Sequence, residues 1–163
     1  MASPQSSVNL FSKNKIQMFD HDPNSTSASV VTPDAGTTER WVDMRDYSSF
    51  AALAMSSALT GNGISLLEIV ANSESDGSDT SVVIKTSGAV LCDAVGDYVV
   101  EECTAEEVAQ ESADAIEAAT ITNQLRYVAA RVTVANAADE AAVTYIQSDP
   151  RFAEAGLTAD TIS

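Results

Sequence analysis

The sequence predicts a mainly β protein: an antiparallel β-sandwich or jelly-roll-like body, one short surface helix and an extended N-terminal arm. Three observations lead there. Short stretches in which side chains alternate between apolar and polar recur along most of the chain, separated by turn residues. They follow one another with no βαβ rhythm and no internal repeat. One stretch, beginning at Thr104, changes to strong helix formers. At 163 residues one domain is the default. A chain of about 150 residues buries roughly 70% of its unfolded surface, enough to stand without disulfides or metals.

Residues 1–39 differ from the rest and are expected to form the arm, with residues 40–163 as the body. The arm is rich in Ser, Thr, Asn, Asp and Pro, and HDPNSTSASVVTPDAG strings turn residues around Pro23 and Pro33. A free tail is one reading, since termini fray unless tied down. Six large apolar residues among the twelve from Val8 to Phe19 exceed what a linker holds. They favour an arm that docks on a neighbouring subunit, with Leu10, Phe11, Ile16, Met18 and Phe19 as the partner-binding residues.

The body begins with a strand over Trp41–Met44, followed by a turn at Asp46–Phe50. Ala51–Leu59 reads as a strand, although Ala51, Leu53 and Met55 also fit a helical spacing. Gly61-Asn62-Gly63 supplies a turn, because Gly and Asn accept positive φ. Ile64–Ala71 is a buried strand with Leu67 and Ile69 on one face and Leu66 and Val70 on the other. Asn72–Asp79 is an exposed loop, Ser81–Thr86 a strand, Ala94–Asp97 a turn and Asp97–Cys103 another strand. Thr104-Ala105-Glu106-Glu107 spells a capping box, in which Thr104 and Glu107 bond each other's backbone amides. A helix over about 104–119 is expected behind it, with a weak apolar stripe of Val108, Ala109, Ala115, Ile116 and Ala119. Leu125–Gln147 reads as a β-hairpin. Val128, Ala130, Val132 and Val134 share its core face, closing a core begun by Trp41 and Leu67, and Asn136–Asp139 provides the turn. The remaining DPRFAEAGLTADTIS, with Pro150 and Gly156, reads as an irregular tail.

Composition bounds the partners. The chain holds 24 Asp and Glu against 8 Lys and Arg, a net charge of −16, of which residues 1–34 contribute −1. Such a field repels nucleic-acid phosphates and anionic membranes and keeps a protein soluble, so neither nucleic acid nor membrane is expected as a partner. No apolar run approaches the roughly 18 residues of a membrane helix, and MASPQSSVNLF lacks a secretory pattern. Synthesis in the cytoplasm with reduced thiols is expected. Cys92 and Cys103 fit either a cross-strand bridge or two free buried thiols, and the reducing setting favours thiols.

Chemistry-bearing motifs are sparse. The phosphate-binding GxxxxGK[ST] and GxGxxG patterns and the GxSxG elbow are absent. The sole histidine, His21, sits in the arm, where it is not expected to be held rigidly over a nucleophile. Asn72, Glu74, Asp76 and Gly77 echo a calcium loop, but its twelfth position would be Val83 rather than Glu. Glu101 and Glu102 adjoin on one strand and point to opposite faces. Arg126 and Arg131 differ in strand parity and are expected in structural ion pairs. No enzyme activity, cofactor or metal is expected from these residues.

The ordered segments RWVDMRDYSSFAALAMSSALTGNGISLLEIVANSE, SVVIKT, AVGDYVVEECTAEEVA, LRYVAARVTV, DEAAVTYI and GLTADTI resemble small β-sandwich virion proteins of tailed bacteriophages. The likeness is nearest to head decoration, or cement, proteins and spans roughly residues 38–163. It implies a non-enzymatic structural protein on the capsid surface of a virion, made in the host cytoplasm. Its expected partners are the major capsid protein and further copies of itself, as a dimer or trimer at capsid symmetry axes. A phage tail or head–tail connector component is the alternative, as is a carbohydrate- or host-receptor-binding module. The last needs an exposed aromatic platform that one Trp and four Tyr supply poorly.

Overall fold

A computed structural model describes residues 14–21, 30–31, 41–61, 63–90, 92–136 and 138–150. Among the described residues are nine strands: β1 (Asn14–His21), β2 (Val30–Val31), β3 (Val42–Asp43), β4 (Tyr47–Ala58), β5 (Ile64–Asn72), β6 (Val82–Thr86), β7 (Tyr98–Thr104), β8 (Tyr127–Val134) and β9 (Glu140–Pro150). One helix, α1 (Ala105–Glu117), follows β7. Every strand pairing is antiparallel. Sheet I has the order β1-β9-β4-β7, and sheet II the order β2-β8-β5-β6, with β3 also on β8. The mainly β sandwich read from the sequence is the architecture observed.

The chain switches sheets at nearly every connection. β4 lies in sheet I and β5 in sheet II; β6 in II and β7 in I; β8 in II and β9 in I. Leu125–Gln147 is therefore not a hairpin but a corner, with β8 and β9 in opposite sheets. The alternation of apolar residues fixes which face is buried, and a strand buries the same face whether its successor pairs with it or packs across from it. The turn expected at Asp46–Phe50 is also corrected. β4 starts at Tyr47, because β9 continues to Pro150 and pairs with it there.

Between the sheets lies one apolar layer. Phe50, Ala52 and Ala54 of β4 and Val143 and Tyr145 of β9 meet Leu67 and Ile69 of β5 and Val128, Ala130 and Val132 of β8, all fully buried. Burying each large side chain stabilises the fold by about 1.5–3 kcal/mol, and the alanines let the sheets approach to about 10 Å. Phe50 and Tyr145 pack edge to face, ring centroids 4.9 Å apart. The Tyr145 hydroxyl accepts the Ala130 amide across the layer at 2.7 Å. That amide lies on the edge of β8 between the segments paired with β2 and β3, so a buried side chain replaces a missing strand partner.

Trp41 does not belong to this core. It packs with Val70 and Ala129 on the outer face of sheet II, with Tyr127 beside it. The loop after β5 folds over the indole, and Gly77 (φ +68) sits so close that a Cβ there would stand 2.5 Å from the ring. The small outer cluster accounts for β5 being apolar on both faces.

Helix α1 packs against β4, β6 and β7 at the seam between the sheets. Its capping box forms as read: Thr104 Oγ1 accepts the Glu107 amide at 3.2 Å and Glu107 Oε2 accepts the Thr104 amide at 2.9 Å. The buried stripe is Ala105, Val108, Ser112 and Ala115, whereas Ala109, Ile116 and Ala119 of the expected stripe face solvent. Ser112 is buried because its hydroxyl accepts the Leu125 amide at 2.9 Å. The helix ends in a Schellman arrangement. Thr120 N–H reaches Ala115 O at 2.9 Å and Ala119 N–H reaches Ile116 O at 3.0 Å, with Ala119 at φ +55.

Residues 14–21 and 30–31, expected in the arm, are strands of the two sheets. β1 pairs with β9 over eight positions, and β2 pairs with the end of β8. The tail expected after Gln147 begins only after β9 ends at Pro150; residues 151–163 lie outside the described residues.

Ala119 occupies a left-handed conformation that glycine adopts without the Cβ clash. Ala119→Gly is expected to stabilise the protein by about 0.5 kcal/mol after the glycine's larger unfolded-state entropy is counted. The check is the urea unfolding midpoint, which should rise with an unchanged slope.

Candidate functional site

Most charged and nucleophilic side chains with a described partner are occupied in holding the fold. Asp139 is fully buried at the β8–β9 corner. Its Oδ1 accepts the amides of Thr60 at 2.6 Å and Gly61 at 2.7 Å, and its Oδ2 accepts the amide of Gly63 at 3.0 Å. Burial pushes this carboxyl up, but the three amides outweigh it and hold the pKa below the ordinary value of 3.8. The β4–β5 corner is thereby tied to the β8–β9 corner. Gly63 (φ +65) is required there, since a Cβ would stand 2.0 Å from the Cys92 carbonyl oxygen.

Both arginines singled out by parity make ion pairs. Arg126 faces Asp43 through Nε, at 3.0 and 2.9 Å from its two oxygens, and through Nη2; its guanidinium also lies 4.7 Å from the Tyr127 ring centroid. Arg45 shares the same Asp43 at 3.1 Å. Arg131 Nε donates to Glu68 at 2.7 Å across the β5–β8 pair. Lys85 of β6 meets Glu107 of α1 at 2.5 Å. That bond and the Thr104 amide hold the Glu107 carboxyl below its usual range.

The calcium-like loop is self-satisfied. Asn72 is buried, donating to Asp79 O at 2.7 Å and Ser81 Oγ at 2.9 Å while its Oδ1 accepts the Glu74 amide at 2.9 Å. Asp76 accepts the Ser78 amide, and Asp79 accepts the Ser73 hydroxyl and the Thr80 amide. Those oxygens point at their own backbone, as Asx turns do. Among the described residues no three His, Cys, Asp or Glu side chains converge as a metal site. A dimple of about 130 Å³ between α1 and residues 124–125 is small beside the roughly 300–1,000 Å³ of small-molecule clefts. Cys92 and Cys103 are free and buried, so the open alternative resolves to thiols. No helix among the described residues is long and apolar enough to cross a membrane.

What remains open is the outer face of sheet I. Strand pairing aligns rows across β9, β4 and β7: Ile146–Ala51–Glu102, Thr144–Leu53–Val100 and Ala142–Met55–Tyr98. At the β1 edge, Ile16, Met18 and Asp20 are in register with Ile146, Thr144 and Ala142. Tyr98 is 65% exposed, Val100 46%, Ile16 40% and Met55 36%, while Leu53 and Ile146 are half-buried. Exposed apolar side chains that adjoin on one sheet face form a candidate contact surface. Of the residues expected to bind a partner, Ile16 lies on this exposed surface. Met18 and Phe19 share its strand, Phe19 in register with Val143, and Leu10 and Phe11 lie outside the described residues. Leu53, Met55, Tyr98 and Val100 were not singled out from sequence. The available signal was the loss of alternation: FAALAM and DYVV are apolar at both parities, more than one buried face requires.

The fold defines a two-sheet antiparallel β-sandwich whose two outer faces differ. Compared with family models, with curated proteins and with solved structures, the chain matches none.

Replacing Asp139 by Ala leaves buried amides without an acceptor and is expected to destabilise the fold by about 3 kcal/mol or more, read from chemical denaturation. Because the folded pKa is depressed, the carboxylate's contribution is complete above its unfolded pKa and is lost as pH falls through the folded one. Asp139→Asn should therefore flatten the acid limb of the stability–pH curve. The cysteines give a separate check. Burial pushes the Cys103 thiol up to about 12, with the Glu107 charge adding to it. The Cys92 thiol is also raised, by burial and then by Asp97 and Asp93. A disulfide reagent at about pH 8 should label neither thiol in the native protein and both on denaturation.

Proposed function

We propose that the protein is a non-enzymatic virion structural protein, a capsid decoration or cement protein. It binds the outer face of the shell built by the major capsid protein, stabilises that shell, and acts as a small oligomer on the capsid surface after synthesis in the host cytoplasm. One observation supports this reading above the others: a two-sheet sandwich whose Arg45, Lys85, Arg126 and Arg131 are held in ion pairs presents exposed apolar side chains together on the outer face of sheet I. Such a molecule is equipped for protein contact rather than for bond-making. The ordered strand pattern that resembles phage decoration proteins points the same way. The net charge of −16 suits a particle exterior and disfavours attachment to nucleic acid.

Ligands that bind only the assembled state stabilise it by mass action, by about 2.7 kcal/mol at a concentration 100 times the dissociation constant. Purified protein mixed with undecorated capsids is expected to co-sediment with them and to raise their melting temperature. Binding to neither capsids nor capsid protein, with retention on a column of polymeric sugar, would instead establish a receptor-binding module.

A further inference from the structure

We infer that the outer face of sheet I joins two copies of this chain, sheet against sheet, about a two-fold axis. This deepens the decoration reading, whose small oligomer it specifies, and it can be measured without a capsid.

The occupant follows from charge first. In the rows that cross β9, β4 and β7, Glu102 is the one charged residue, and it stands on the edge strand β7. Asp20 holds the opposite corner, on the edge strand β1. The middle strands present Leu53, Met55 and Ile146 with alanine, serine and threonine between them, and Glu140 stands at the end of β9. A basic partner would find no acidic residue within the centre of this face, although the chain carries 24. A second copy, itself at −16, meets the opposite condition, because two such molecules approach most easily where neither presents charge.

Shape and area agree. Four antiparallel strands form an extended face that no helix among the described residues crosses, and two such faces pack in the manner of sandwich sheets. A two-fold contact uses the same patch on both copies, so it closes at two. Four strands at about 4.8 Å spacing and about 25 Å of strand length give roughly 500 Å² per copy. The pair buries roughly 1,000 Å², the lower bound for a specific interface. The association is accordingly weak to moderate, and it tightens with salt as repulsion between the acidic bodies is screened.

Sedimentation of the full chain tests this, at concentrations up to about 1 mM because interfaces of this size bind weakly. A dimer is expected, with a lower dissociation constant at about 0.5 M salt than at about 0.05 M. Val100→Glu places a carboxylate from each copy in the contact and should weaken the dimer by at least about 100-fold. Since Val100 is 46% exposed, the melting temperature of the monomer should stay close to wild type. Val83→Glu is the control: Val83 is also exposed, but on β6 of sheet II, and should leave association unchanged. A monomer at every salt concentration, a trimer, or a dimer indifferent to Val100→Glu overturns the inference. A monomeric wild type whose co-sedimentation with capsids is abolished by Val100→Glu overturns it too, giving the face to the shell and leaving the decoration reading intact. A dimer that fails to bind capsids supports the inference and removes the decoration reading.

Discussion

The carboxylate of Asp139 is the interaction on which the two-sheet arrangement depends. It sits where the chain passes from sheet II to sheet I, and it holds amides of the turn where the chain passes from sheet I to sheet II. Corners that switch sheets cannot satisfy their backbone through a ladder, because the strands they connect are not partners. A buried acceptor with two oxygens meets that need at both corners at once. Its surroundings leave little slack: Ala135 N–H donates to Gly63 O at 2.7 Å, and Ser56 Oγ donates to Cys92 O at 2.9 Å. The close approach of Gly63 to Cys92 completes the knot.

The same economy extends outward. Asp43 with Arg126, Glu68 with Arg131 and Lys85 with Glu107 join strand to strand or strand to helix. These pairs are partly exposed, so each adds a modest amount to stability and mainly fixes register. Sheet II covers Val70 and Ala129 on its outer face with Trp41, beneath the loop around Gly77. The described part of sheet I has no equivalent cover over Leu53, Met55, Tyr98 and Val100. This asymmetry makes the outer face of sheet I the candidate surface.

Several elements were legible because their cause is local. Thr104 and Glu107 specify a helix start by bonding each other's backbone, and the helix begins there. The period-two pattern of Val128, Ala130, Val132 and Val134 identified a buried face that proved fully shielded. Arg126 and Arg131, expected in structural ion pairs, are found in them, with Asp43 and Glu68. Other features were hidden because their cause is distant in sequence. Ser112 is buried in a helix stripe for the sake of the Leu125 amide, and Tyr145 fills an edge of a strand in the opposite sheet. Trp41, the largest apolar side chain, went to an outer cluster because the loop around Gly77 folds over it.

By itself, the sequence determined that the protein is mainly β, where most strands lie, which way many side chains face and where the single helix of the described residues starts. Hydrophobic periodicity and capping act within a few residues, so they can be read along the chain. Tertiary structure alone decided which strands are neighbours. It made Leu125–Gln147 a corner rather than a hairpin, drew residues 14–21 into sheet I as an edge strand, and left Met55, Tyr98 and Val100 exposed on the outer face of that sheet. Pairing depends on hydrogen bonds and packing between segments far apart in sequence, and one alternating pattern satisfies several such arrangements equally well.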